Sequence, residues 1–195
     1  FESFDMPIRR AASANDDGSD KTLSDVSLDA IADVWGQVRG RLGGSDDHYA
    51  VRMRDGTVSV YDPADPWHRV SGWLVDDGSR RMLRQFEAQR GEARMRVEGV
   101  LPRPGSGDFA PDVTLVATDP QVERLLRQII PPEYAAMRDA LGLAGPGELN
   151  TRTRAAPDGS AVIESQISAA RMESSKLPLP LRNARLKFTA DDARF

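Results

Sequence analysis

The clearest alternation of apolar and polar positions along the chain runs from Glu92 to Ile130. Ala93, Met95, Val97 and Leu101 share one parity, and Arg94, Arg96 and Glu98 share the other. A period of two with arginines on the alternate positions predicts a β-strand with one dry face and one wet face. A Pro/Gly/Ser loop from Pro102 to Pro111 turns the chain, and Val113, Leu115 and Ala117 repeat the alternation in a returning strand. Asp119-Pro120 then reads as a helix start, with a capping carboxylate and proline at the first helical position. Val122, Leu125, Leu126, Ile129 and Ile130 follow at helical spacing and make a narrow apolar stripe. The unit is a hairpin of half-exposed strands closed by a short amphipathic helix.

The rest of the chain reads in the same terms. Phe4, Met6 and Ile8 share a face of a weak strand that Pro7 confines to a sheet edge. Residues 11–25 are polar and predict a mobile loop. Ser27 is placed to cap a helix carrying Leu28, Ile31, Val34, Trp35, Val38 and Leu42, which ends at Gly43-Gly44. Tyr49, Val51 and Met53 alternate with Arg52 and Arg54, and Asp55-Gly56 spells a two-residue hairpin turn into Val58 and Val60. A strand is expected around Val70 to Val75, before a turn at Asp77-Gly78. In the stretch from Arg80 to Arg90, Met82, Leu83 and Phe86 fit a helical turn, but the flanking strands favour a strand there too. A further short helix carries Tyr134, Met137, Ala140 and Leu141 and ends at Gly142 and Gly145-Pro146-Gly147. Strands from Leu149 to Ala155, Ala161 to Arg171 and Ala184 to Ala190 complete the pattern, the last two joined through Leu177-Pro178-Leu179-Pro180. The expected fold is mainly β, or α+β by count, with about nine strands and about three short amphipathic helices in one β-rich segment over 1–195. The helical insertion is expected over 119–143. A chain running from Phe1 to Phe195 without a capping tail reads as a fragment of a longer one, a processed mature protein being the alternative.

Composition narrows the chemistry. A net charge of −4 with a pI near 5.3 argues against a general nucleic-acid binder, whose footprint is normally basic. Lys21, Lys176 and Lys187 are the only lysines, so nearly all positive charge is arginine. The chain has no cysteine, which removes disulfides and thiolate metal sites from it. No apolar run approaches the roughly 20 residues that span a bilayer. His48 and His68 each sit near acids, Asp46 and Asp47 or Asp62 and Asp65, but both fall in turn-like stretches and read as solvated loop residues. Asp16-Asp17-Gly18-Ser19-Asp20 lacks the ligand spacing of a calcium loop, and no serine sits in a nucleophile elbow. No phosphate loop of the GxxxxGK type is present. No catalytic, metal or cofactor site is expected.

What remains is the alternation itself. An antiparallel sheet with one dry face must cover it with a helix, another sheet or a ligand. Three helices are too few for nine strands, so an uncovered apolar trough and an ordinary closed core both fit the pattern. The ordered phrases RGEARMRVEGVL, PDVTLVATDPQVERLLRQIIPPEY, GPGELNTRTRAAPDG, AVIESQISAARM and LPLRNARLKFTADDARF resemble the AsmA-like proteins of diderm bacterial envelopes, over roughly residues 70–195. The resemblance implies a curved antiparallel sheet that forms an open or partly open groove, in a periplasmic protein held in the inner membrane through a region outside this segment. It implies phospholipid, or another acyl-chain lipid, as the partner, with other envelope proteins alongside and no nucleic acid.

Alternation assigns the lining of such a trough to Met95, Val97 and Leu101, to Val113, Leu115 and Ala117, and then to Ile163, Ile167, Leu186 and Phe188. Small inward residues, Ala93, Gly99 and Ala169 among them, run against a dense lining. Two other readings stand beside the lipid groove: a compact α+β enzyme or effector domain, and an interaction scaffold that adds strands to a partner.

Overall fold

In a computed structural model of the chain, the strands form one antiparallel meander in which each pairs with the next in sequence. The structure describes residues 5–10, 26–37, 48–60, 62, 64–78, 80–101, 111–130, 132–155, 161–174 and 179–191. Ten strands are seen: β1 Asp5–Arg10, β2 Val26–Gln37, β3 His48–Val60, β4 Trp67–Asp76, β5 Arg81–Arg90, β6 Ala93–Leu101, β7 Asp112–Asp119, β8 Leu143–Ala155, β9 Ala161–Met172 and β10 Leu181–Asp191. Between β7 and β8 lie α1 Val122–Ile129, a 3-10 turn Pro132–Tyr134 and α2 Ala135–Leu141. Among the described residues, β1 and β10 are the two open edges of the sheet. The expected loop over 11–25 lies outside the described residues.

Several expectations are corrected. The helix expected from Ser27 is strand β2 over Val26–Gln37, so among the described residues the α-helices number two. Val26, Leu28, Ala30, Ala32 and Val34 also alternate strictly, and pairing to both β1 and β3 decides in favour of the strand. Asp55-Gly56 is not a hairpin turn, because β3 runs straight through it. Those two residues lie between the Asp29–Thr57 and Ile31–Arg54 pairs, so both oppose Ala30 as a bulge, and Asp55 adopts φ 50°. The helix-like spacing in β5 has the same origin. Leu83 pairs with Gly99 and Phe86 with Val97, so one extra residue is accommodated at Gln85, with φ 53°. Trp67 and Val70 in β4 repeat the step of three around Arg69, also at φ 53°. Three neighbouring strands therefore carry a bulge that keeps their apolar residues on one face while the spacing breaks from two to three. A further correction is that β8 begins at Leu143 rather than Leu149, with a register shift between Ala144 and Gly147 in place of a break.

Bulges bend strands and raise their twist. A flat sheet would hold β3 and β7 four steps of ~4.8 Å apart, far more than one helix of ~10 Å diameter can bridge. Yet α1 touches β7, β8 and β3 at once. The sheet is therefore curled, with α1 seated on its concave, dry face. Val122, Leu125, Leu126 and Ile130 are buried there against Trp67, Ala117, Leu149 and Ile167. Gly147 makes the seat possible: a Cβ at that position would lie 2.6 Å from Val122 Cγ2. The helix starts at Val122 rather than at Pro120: Asp119 ends β7 and Gln121 is the N-cap, with no side-chain capping bond, and the helix ends as Ile130 turns extended ahead of Pro131. α2 buries none of its residues and stops at Gly142, whose left-handed conformation packs on the Glu173 carbonyl.

Because Gln85 holds a left-handed conformation that costs a side-chain-bearing residue ~1–2 kcal/mol, Gln85→Gly should leave stability unchanged or raised. The β-branched Gln85→Val should lower it by more than ~1 kcal/mol in urea unfolding. A regular strand at this point would give the opposite order.

Candidate functional site

Cross-strand pairing arranges the dry face into rungs. Ala88, Met95, Ala117, Leu149, Ile167 and Leu186 are successive neighbours from β5 to β10. The next rung is Phe86, Val97, Leu115, Thr151, Ser165 and Phe188, and the next Leu83, Gly99, Val113, Thr153, Ile163 and Ala190. Nine of the ten residues assigned to the trough thus occupy three adjacent rungs, and the tenth, Leu101, lies further along the same face opposite Arg81. Burial is graded along them. Ala117 and Ile167, beneath α1, are each 1% exposed, whereas Met95, Val97, Leu101, Val113, Leu115, Ile163, Leu186 and Phe188 are half-buried. α1 is the main helix packed on this face, with Leu141 of α2 at the margin of the same cluster, and among the described residues the rungs beyond them have no second layer. The inward side chains of β8 interrupt the apolar lining with Thr151, whose hydroxyl lies 2.9 Å from that of Ser165. That pair satisfies itself and leaves little polar demand on the face.

The α1 end carries charge that the alternation alone did not single out. Arg90, in phase with Phe86 and Ala88, is 5% exposed and donates from Nη2 to Asp119 Oδ2 at 2.5 Å. Asp119, in phase with Leu115 and Ala117, also accepts the Gln121 N–H at 2.7 Å. The Arg90 guanidinium stacks over Trp67, 4.6 Å from the ring centre, and its Nη1 lies 3.2 Å from Asp65. Asp65, in the β3–β4 connection, accepts two bonds from Arg124 Nη2 on α1, at 2.7 and 2.9 Å. This pairing and the Asp65 charge raise the Arg124 pKa. Gln128 donates to the Asp65 and Asp62 carbonyls at 3.0 and 3.4 Å. Two arginines and two aspartates thus balance in charge in a chain that ties the sheet, through Asp65, to Arg124 on α1. Arg90 Nε and Nη1, Gln128 Oε1 and Glu123 Oε2 are buried there without a hydrogen-bond partner.

The other face is wet and ionic. Arg94 and Arg96 are exposed, and Arg96 pairs with Glu98. A hollow of about 640 Å³ opens where the bulges of β3, β4 and β5 lie side by side, lined by Arg52, Arg54, Trp73, Glu87 and Arg96. Arg152 donates twice to Asp112 at 3.0 Å, and Arg154 donates to Glu164. These hydrogen bonds hold both carboxyls below their ordinary values. His48 and His68 are exposed, but they lie in strands β3 and β4 rather than in loops, His68 lying 3.5 Å from the Thr57 hydroxyl. Among the described residues no group of three or more His, Cys, Asp or Glu gathers as a metal site would require. None of the described helices is long and apolar enough to cross a membrane. Set against known protein families, curated proteins and solved structures, the chain matches none of them.

Removing one member of a buried ion pair strands its partner, so Arg90→Met or Asp119→Leu alone should each cost ~3–5 kcal/mol. The double replacement should cost less than their sum, and a double-mutant cycle in urea reads the coupling. On the wet face the sign runs the other way from a buried histidine. Depressed carboxyls add stability that is present above their unfolded values near ~4 and is lost as pH falls through the lower folded ones. Asp112→Asn with Glu164→Gln should therefore flatten the acid limb of stability against pH, as should ~1 M salt.

Proposed function

We propose that this chain is a stretch of an AsmA-like envelope protein whose dry face shields phospholipid acyl chains on their way between the inner and outer membranes. The observation that carries the reading is the unfinished burial of the rungs beyond α1. A closed core would hide Val97, Leu115 and Phe188 as fully as α1 hides Leu149, but they remain half-buried. From Met95 to Leu101 this surface extends ~20 Å along the strand, at ~3.3 Å per residue. Each acyl methylene laid on it and kept from water contributes ~0.8 kcal/mol, which lowers the barrier to lipid movement without any reacting group. The resemblance of residues 70–195 to that family supplies the envelope setting, a periplasmic location and an anchor outside this segment. Passage requires something more, because α1 closes the lane at one end.

A second reading has its own support. The open edges β1 and β10 offer backbone groups to which another envelope protein could add a strand. Arg182, Arg185 and Lys187 are exposed on β10, and such charges discourage that pairing.

Photo-crosslinking side chains placed at Val97 or Leu115 in the intact envelope protein should capture phospholipid, and the same probes at Arg94 or Arg96 should not. An aspartate at Val97 should abolish capture from Leu115, since an unpaired carboxylate in an acyl lane is costly to bury. Equal capture from both faces, or none from either, would contradict the proposal and leave strand addition as the better account.

A further inference from the structure

We infer that α1 is a gate, a displaceable closure whose opening turns the dry face from a cup into a through-lane. The inference rests on the lipid reading above and adds the moving part that reading lacks. Beneath α1 the apolar surface continues on β8 to β10, where Ala117, Leu149 and Ile167 lead into Ala169 and Ala184, all buried, with the Arg90–Asp119 pair at its β5–β7 side. Lifting the helix would extend the lane to the end of the strands.

Three features show how the helix is held and why it can move. First, apolar attachment lies mainly in one stripe. Val122, Leu125, Leu126 and Ile130 are buried, whereas α2 has no fully buried residue and adds only the half-buried Leu141 to the same cluster. Second, its other side is restrained by a polar clasp. Arg124 and Arg90 meet at Asp65, and the Gln128 amide reaches the Asp62 and Asp65 carbonyls. Third, closure leaves Arg90 Nε, Gln128 Oε1 and Glu123 Oε2 buried without a hydrogen-bond partner. Opening would hydrate all three, which offsets part of the apolar burial that is lost. The segment is tied at both ends, by Asp119 to Gln121 before the helix and by Gly142 packed on Glu173 after it. A lipid chain that replaces the α1 stripe on the same rungs would favour the open form, and binding shifts such an equilibrium by its difference in affinity for the two states.

The absence of cysteine makes the test clean, since one introduced thiol is the only one in the chain. Leu126→Cys reports on the underside of α1, and Met53→Cys on a separate buried cluster. Maleimide labelling at Leu126→Cys should accelerate about tenfold or more when the clasp is broken by Asp65→Asn, with Met53→Cys unchanged, as expected for local opening. Arg124→Gln, which removes the helix's own side of the clasp, should do the same if the first variant folds poorly. Vesicles of phosphatidylglycerol and phosphatidylethanolamine should accelerate Leu126→Cys with the clasp intact. Equal acceleration at both thiols would mean global unfolding and would overturn the gate, as would no response at Leu126→Cys to clasp variants or to vesicles. Lipid capture at Val97 without vesicle-driven labelling at Leu126→Cys would refute the gate alone. Labelling that follows the clasp and the vesicles, with no capture at Val97, would refute the lane instead.

Discussion

The structure turns on one buried ion pair on the dry face of the sheet. Arg90 and Asp119 occupy inward positions of β5 and β7, and neither charge can stay there alone. Their pairing fixes the end of β7, so that Gln121 is held by Asp119 and α1 starts over the sheet rather than beside it. The second contact of Arg90, to Asp65, brings the β3–β4 connection over the helix, where Arg124 completes the clasp. Trp67 supplies an aromatic face under the same guanidinium. A strand end, a helix and a connection nearly sixty residues from Arg124 in sequence are thus tied to one buried charge.

Curvature is the second requirement, and the bulges meet it. A meander of ten strands with strict alternation would lie too flat for one short helix to touch β3, β7 and β8 together. Left-handed residues at Asp55, Arg69 and Gln85 sit in consecutive strands, each at the point where the apolar spacing changes from two to three. The bend that lets the dry face wrap α1 also opens the hollow between arginines on the wet face. Beyond α1 the rungs of Val97 and Val113 stay half-buried.

Much of this was legible in the residues because a period of two is a strong signal where it persists. The strands from Ala93 to Ala117 and from Ala161 to Ala190, and the helix between Val122 and Ile130, follow directly from spacing. The region from Ser27 to Arg90 was harder for a physical reason. A bulge inserts a step of three, and Leu83 with Phe86, or Met53 with Gly56, then mimics a helical turn or a hairpin. In β2 the competing patterns coexist in one stretch, and only pairing with its neighbours separates them. The clasp had a signal that pattern reading passed over. Arg90 and Asp119 fall on the apolar parity of their strands, and opposite charges on dry positions are a reason to expect that they meet. Asp65 carries no such mark, because its place over α1 depends on how far the sheet curls.

The central claim is that the half-buried rungs beyond α1 are a surface for acyl chains. Native mass spectrometry of the protein released from an envelope tests it most directly. The account predicts adducts at phospholipid mass on the native chain and on Arg94→Asp, and their loss from Leu115→Asp with the fold retained. Adducts that persist in Leu115→Asp, or a native chain that carries none, would contradict it.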